Sequence, residues 1–76
     1  MIIDVRTPDL FKRGTMPGAK NVPLRHLQKE LLTTNRQTKI LFVDNDLASA
    51  RVAQSYAESM GFLNVTITTY KRQSRG

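Results

Sequence analysis

Residues 39–62 constrain the fold most, because a strand pattern is followed at once by a helix pattern. The apolar run at residues 40–43 is short and rich in residues that favour strands, which is typical of a strand buried in a parallel sheet. From Ser49 onward one apolar stripe recurs at helical spacing, formed by Val52, Ala53, Tyr56, Ala57 and Met60. Gly61 follows where a left-handed cap is usual. The stretch predicts half of a βαβ unit, with a site at the loop of residues 44–48.

The flanking sequence supplies further elements of the same class. Residues 2–5 predict a short strand, and Thr7-Pro8 is typical of a helix start. Residues 16–19 predict a turn, residues 21–23 an edge segment, and residues 24–32 an amphipathic helix of two turns with a solvent-facing His26. Alternating apolar residues at 64–70 predict a half-buried strand. The predicted fold is α/β, a small open and mostly parallel sheet of about four strands with helices on both faces.

Length and composition exclude several classes of function. The chain has 76 residues and no cysteine, which predicts one domain without disulfides, thiolate metal sites or a cysteine nucleophile. No apolar run approaches the roughly 20 residues of a membrane span, and the first residues do not resemble a signal peptide. We therefore expect a cytoplasmic protein, and the sequence indicates no cofactor and no metal.

The chain is basic, with 12 Lys and Arg against 6 Asp and Glu and a net charge of +6. Such a surplus favours anionic partners, and nucleic acid is one candidate. The cations are scattered, however, and the single cluster of Lys71, Arg72 and Arg75 lies in a basic C-terminal tail at residues 71–76. Nucleic-acid binding is therefore a weaker alternative than a generally basic surface.

Four short motifs in order resemble the rhodanese-like domain over most of the chain. Residues 2–6 match an apolar strand that ends in Asp-x-Arg, and residues 14–24 match a segment of the form Gly-His-Ile-Pro-Gly-Ala with the strand after it. Residues 40–44 occupy the strand that leads into the family's catalytic loop, and residues 61–65 the connection to the next strand. The resemblance implies a rhodanese-like domain at residues 1–70.

The departures from the family pattern fall on the loop that would carry the chemistry. Active members have a cysteine, which accepts sulfur as a persulfide, where this chain has Asp44. Their loop is rich in Gly, Ser and Arg, so that backbone N–H groups cradle an anion at the helix N-terminus. The corresponding loop here is degenerate and reads Asp44, Asn45, Asp46, Leu47, Ala48, Ser49, Ala50. The resemblance thus implies no catalytic residue and a protein that is not an enzyme.

Asp44 and Arg6 each have a plain structural interpretation beside a functional one. Asp44 could be a carboxylate nucleophile, a Mg²⁺ or Ca²⁺ ligand together with Asp46, or a cap that accepts N–H groups of its own loop. We favour the cap, because neither of the other roles finds enough partner groups. Arg6 could bind substrate, or it could contact the residues of the degenerate loop without touching substrate, but an ion pair with a nearby acid such as Asp9 is the simpler expectation.

Both ends are short relative to the family, so the chain could be a fragment, a degenerate paralogue or a domain completed by a partner. Uncovered sheet surface favours a homodimer or another protein partner. The leading hypothesis is a catalytically inactive rhodanese-like module for protein interaction or regulation. The alternatives are a non-catalytic partner of a sulfurtransferase or sulfur-carrier system, and a basic nucleic-acid-associated protein.

Overall fold

The structure, a computed structural model, describes residues 1–71. Its strands are β1 (Ile2–Asp4), β2 (Ala19–Asn21), β3 (Ile40–Asp44) and β4 (Val65–Thr69). Its helices are α1 (Pro8–Arg13), α2 (Leu27–Leu32) and α3 (Leu47–Ser59), and a 3₁₀ turn at Leu24–His26 precedes α2. The predicted basic tail lies outside the described residues except for Lys71.

The four strands form one sheet in the order β2-β1-β3-β4, and every neighbouring pair is parallel. The chain first steps from β1 to β2 and then returns past β1 to β3 and β4. Because such crossovers are right-handed, α1 lies on one face of the sheet and α2 and α3 lie on the other. The prediction of a parallel α/β sheet with helices on both faces is confirmed.

The main core lies between the sheet and the helices α2 and α3. The strand register places Ile3 beside Phe42, and both side chains are fully buried on this face. Leu27 and Leu31 of α2 and the small side chains of α3 complete the layer. Those small side chains are alanines, which let the helix backbone approach the sheet closely.

Three helix details differ from the sequence patterns. Residues 24–32 are not one helix, because the first turn is 3₁₀ and only the second part is α-helical. Leu24 and Leu32 are 45% and 59% exposed, so two leucines of the predicted apolar face lie outside the core. Val52 is likewise 55% exposed, whereas Tyr56 and Met60 pack against the core as predicted. His26 is exposed, as the sequence predicted.

The connection from α3 to β4 turns sharply at Gly61, whose φ of +98° is in the left-handed region. The Phe62 N–H donates to the Ala57 carbonyl at 3.1 Å, and its ring is buried. Arg36 covers this ring at 5.1 Å and donates to the Met60 carbonyl at 3.1 Å. The predicted glycine cap is therefore present and is closed by Arg36. Among the described residues, no helix has the length and apolarity that a membrane crossing requires.

Candidate functional site

The carboxyl ends of the strands form a pocket at the point where the strand order reverses. In open α/β sheets this switch point, here between β1 and β3, is the usual place for ligands. A cavity of about 360 Å³ lies there. Its wall is built from the ends of β1, α1, β3 and β4, and the lining residues are Arg6, Leu10, Arg13, Gly14, Asn45, Tyr70 and Lys71. Four separate elements therefore converge on one site.

A buried ion pair between Arg6 and Asp4 forms the floor of this site. The Arg6 Nη2 atom lies 2.8 Å from Asp4 Oδ2, Nε donates to the same carboxylate at 3.0 Å, and Asp4 is fully buried. Arg6 therefore pairs with a nearby acid, as expected, but the acid is Asp4 and the expectation of Asp9 is wrong. Ile3 faces the main core, so its neighbour Asp4 faces the opposite side of the sheet, where its carboxylate meets Arg6. Asp9, by contrast, is exposed on α1.

Further hydrogen bonds fix the pair to the segment after α1. Thr15 Oγ1 donates to Asp4 Oδ2 at 2.6 Å, and Arg6 Nη2 also donates to the Gly14 carbonyl at 2.6 Å. Asn21 Nδ2 donates to the Asp4 and Arg6 carbonyls, both at 3.0 Å. Through these hydrogen bonds the ion pair connects β1 to β2 and to the segment between α1 and β2.

The protonation states of this pair follow from burial and hydrogen bonding. Burial alone would raise the pKa of Asp4, but hydrogen bonds from Arg6 and Thr15 outweigh it, so the pKa lies below its ordinary value. The same hydrogen bond to Asp4 raises the pKa of Arg6 against the effect of burial. Both groups are therefore charged at neutral pH.

The loop at residues 44–50 folds so that two of its N–H groups donate to its own carboxylates. Asp46 is the N-cap of α3, and its Oδ1 accepts from the Ser49 N–H at 2.8 Å. Asp44 Oδ1 accepts from the Asn45 N–H at 2.7 Å. The cap of α3 is therefore Asp46 rather than Asp44, and the helix begins at Leu47, before the predicted Ser49.

Asp44 has a different environment from Asp46 although both are in the loop. Asp44 is half-buried, and this burial raises its pKa, as do the nearby charges of Asp46 and Asp4. Its N–H bond with Asn45 and the charge of Arg6 act in the opposite direction. Among residues 1–71 no three His, Cys, Asp or Glu side chains are grouped in a way that could hold a metal ion.

Sequence reasoning placed Arg6 and the loop near the site, and the structure brings Arg6 and Asn45 to the same pocket. Residues 47–50 form the first turn of α3 and do not line that pocket. Five further lining residues were not predicted as site residues from the sequence: Leu10, Arg13, Gly14, Tyr70 and Lys71. The Tyr70 ring lies 5.1 Å from the Arg6 guanidinium, and the Tyr70 N–H donates to the Asp44 carbonyl at 3.1 Å. The sequence signal that could have identified Tyr70 is its position directly after β4, which places it at the carboxyl ends of the strands.

Comparison with known proteins identifies the architecture. The family model of the rhodanese-like domain matches residues 1–70. A crystal structure of the rhodanese-like domain of the Alr3790 protein from Anabaena sp. superposes with a TM-score of 0.81 at 20% identity, covering 88% of this chain and 64% of that chain. This chain therefore spans less than two thirds of that structure.

A second crystal structure, of the Rhodanese_3-like domain of the same Anabaena sp. protein, gives a TM-score of 0.82 at 22% identity. It covers 90% of this chain and 79% of the other. At these identities the similarity to solved structures establishes the fold alone. Comparison with curated proteins gives no match.

Proposed function

The chain belongs to the rhodanese-like domain family. We propose that it is a catalytically inactive module of that family, in which Asp44 stands where active members carry cysteine. We propose that the module serves protein interaction or regulation within the cytoplasm. A carboxylate cannot accept a sulfur atom as a persulfide, and the sequence has no cysteine that could replace it. The scaffold of the family is kept while its chemistry is lost.

The observation that carries the proposal is the occupation of the loop by the chain's own carboxylates. Substrate oxyanions bind to free N–H groups at a helix N-terminus. Here Asp46 accepts the Ser49 N–H at 2.8 Å, and Asp44 accepts the Asn45 N–H at 2.7 Å. An incoming anion would have to displace these contacts and would meet two negative charges. This argues against the binding of a small anion at the N-terminus of α3 as well as against sulfur transfer.

The test is transfer of sulfur from thiosulfate to cyanide, followed as thiocyanate formation. The wild-type chain is expected to give the same rate as a reaction without protein, and Asp44→Cys alone is expected to remain inactive because Asp46 still fills the helix N-terminus. The double variant Asp44→Cys with Asp46→Gly is the matched comparison, since it restores the thiol and frees the Ser49 N–H group. Turnover by the wild-type chain would end the proposal.

A role as partner of an active sulfurtransferase is a narrower form of the same proposal and would appear as a change in that enzyme's rate on adding this chain. Association with nucleic acid remains a prediction. The described cations lie on several different elements, and four of them make side-chain contacts within the chain: Arg6 with Asp4, Lys20 with Glu30, Arg25 with His26, and Arg36 with backbone carbonyls.

A further inference from the structure

The pocket at the carboxyl ends of the strands has donors that the chain itself does not use. Arg6 is only 7% exposed, and its Nε and Nη2 atoms are bonded to Asp4 and Gly14. Its Nη1 atom has no hydrogen bond with any of residues 1–71, and every fully buried side-chain polar atom described has a partner. Nη1 is therefore not sealed in the interior, and Arg6 is one of the residues that line the pocket.

Two further cations stand at the rim of the same pocket. Arg13 at the end of α1 and Lys71 after β4 both line it, and both are exposed. Within residues 1–71 neither forms an ion pair. Asn45 adds an amide at the end of β3. One buried planar donor and two exposed cations thus face one cavity from three different elements.

The ligand that fits these groups is a carboxylate on an extended chain rather than a small free ion. A free ion needs an enclosing set of N–H groups, and in the adjacent loop the Asn45 and Ser49 N–H groups are already bonded to Asp44 and Asp46. The guanidinium edge of Arg6 suits a carboxylate oxygen. The side chains of Leu10 and Tyr70 supply an apolar wall along which the rest of a ligand can lie.

We propose that this pocket binds a Glu or Asp side chain of an acidic segment in a protein partner, held by Arg6 Nη1, Arg13 and Lys71. This inference rests on the proposed interaction role and names the chemistry of the partner. The basic net charge of +6 would draw such a segment toward the chain before contact. The cavity of about 360 Å³ accommodates one such side chain with part of its backbone.

The experiment is a titration of ¹⁵N-labelled protein with an acetylated and amidated hexaglutamate peptide at constant ionic strength, followed by NMR. Saturable shifts are expected at the Arg6 Nε, Asn45 Nδ2 and Tyr70 amide signals. Arg13→Ala and Lys71→Ala should each weaken binding about 10-fold, the lower end of the effect of one lost hydrogen bond to a charged group, because both side chains are exposed. Lys12→Ala is the matched control, because Lys12 is on α1 beside Arg13 but does not line the pocket. It should change binding less than about twofold.

Two companion titrations decide between sources of negative charge. Hexaglutamine should produce no shifts at these signals, and inorganic phosphate should not saturate them at the peptide concentrations used. Equal losses in Lys12→Ala and Arg13→Ala would mean that only net charge matters and would overturn the proposal. Saturation by phosphate would reassign the pocket to a small anion and would overturn it equally. Sulfur transfer by the wild-type chain would instead overturn the proposed function and leave this titration unaffected.

Discussion

Replacing Arg6 with alanine tests the claim that a buried ion pair holds the site together. The substitution removes the Nε and Nη2 donors, which lie 3.0 and 2.8 Å from the Asp4 carboxylate. Asp4 is fully buried and would keep only Thr15 Oγ1 and the backbone N–H of residue 6 as donors. An incompletely paired carboxylate would then remain inside the protein.

The expected loss of unfolding free energy is large for a domain of this size. Removing one partner of a buried pair costs about 3–5 kcal/mol. A 76-residue domain at about 0.05–0.15 kcal/mol per residue has roughly 4–11 kcal/mol in total. The variant is therefore expected to retain the fold marginally, with a Tm lowered by more than about 12 °C.

The pH dependence of the free energy of unfolding gives an independent test of the same argument. In the wild type the pKa of Asp4 lies below its ordinary value of 3.8, so this stabilisation is complete above that pH and is lost as pH falls through the folded-state pKa. In Arg6→Ala the main lowering contact is gone, and burial raises the pKa of Asp4. Protonation of Asp4 at low pH then removes the incompletely paired charge from the variant. The difference in unfolding free energy between the wild type and the variant therefore narrows toward pH 4.

Urea unfolding followed by circular dichroism at pH 7 and pH 4 measures both effects. Arg13→Ala is the control, since Arg13 is exposed and unpaired within the described residues and should change stability by less than about 0.5 kcal/mol. A loss below about 1 kcal/mol in Arg6→Ala at pH 7 would refute the reasoning. So would a difference that grows as the pH is lowered.

Three further substitutions probe the surroundings of the pair. Gly14→Ala should lower the free energy of unfolding by about 1–3 kcal/mol in urea, because the φ of Gly14 is +150° and a Cβ there would lie 2.6 Å from Tyr70 Oη. In a Tyr70→Leu background the steric part of this cost should disappear. An unchanged cost in that background would contradict the explanation. Asp46→Ala should cost about 0.5–2 kcal/mol through loss of the α3 cap, whereas Asp46→Asn should cost less, and equal losses would speak against capping. Asp44→Asn should stabilise the chain at pH 7, since burial raises the pKa of Asp44 and the penalty for its charge is present above that pKa. This gain should vanish as pH falls through the ordinary range of aspartate, and a gain that persists at pH 3 would exclude this cause.

The elements with a clear period could be predicted from the sequence, and the partners of individual polar groups could not. Residues 39–62 change from a strand run to a helical stripe within a few positions, and Gly61 marks the end of that stripe. Leu24 and Val52 lie on apparent apolar faces but are exposed, because a small sheet cannot cover every position of a helix stripe. Periodicity reports which face is apolar, and it does not report how much of that face is covered.

Choices between chemically equivalent residues depended on the three-dimensional structure. Residues 44–46 are all suitable caps, and only the extended backbone of Asp46, with φ −145° and ψ 164°, selects it. Asp4 and Asp9 are both near Arg6 in sequence, and the direction of the Asp4 side chain at the end of β1 decides the pairing. Tyr70 joins the pocket through the register that places Asp44 beside Thr69, a contact between distant parts of the chain.

The interior position of β1 has a consequence for how the chain folds. β1 is the first of the four strands in sequence, yet it lies inside the sheet between β2 and β3. Its Ile3 pairs with Lys20 on one side and with Phe42 on the other. The pairing of β1 with β3 therefore requires closure of the long loop between Asp4 and Ile40, and the entropy of that loop is offset only once the two strands have paired. Refolding rates should accordingly be limited by docking of β1 on β3, and truncating Ile3 or Phe42 should slow refolding more than truncating Val65. A ribosome-bound chain that ends before β3 would hold β1 without the neighbour that buries it, and that nascent state is where this domain is most exposed to misfolding and aggregation.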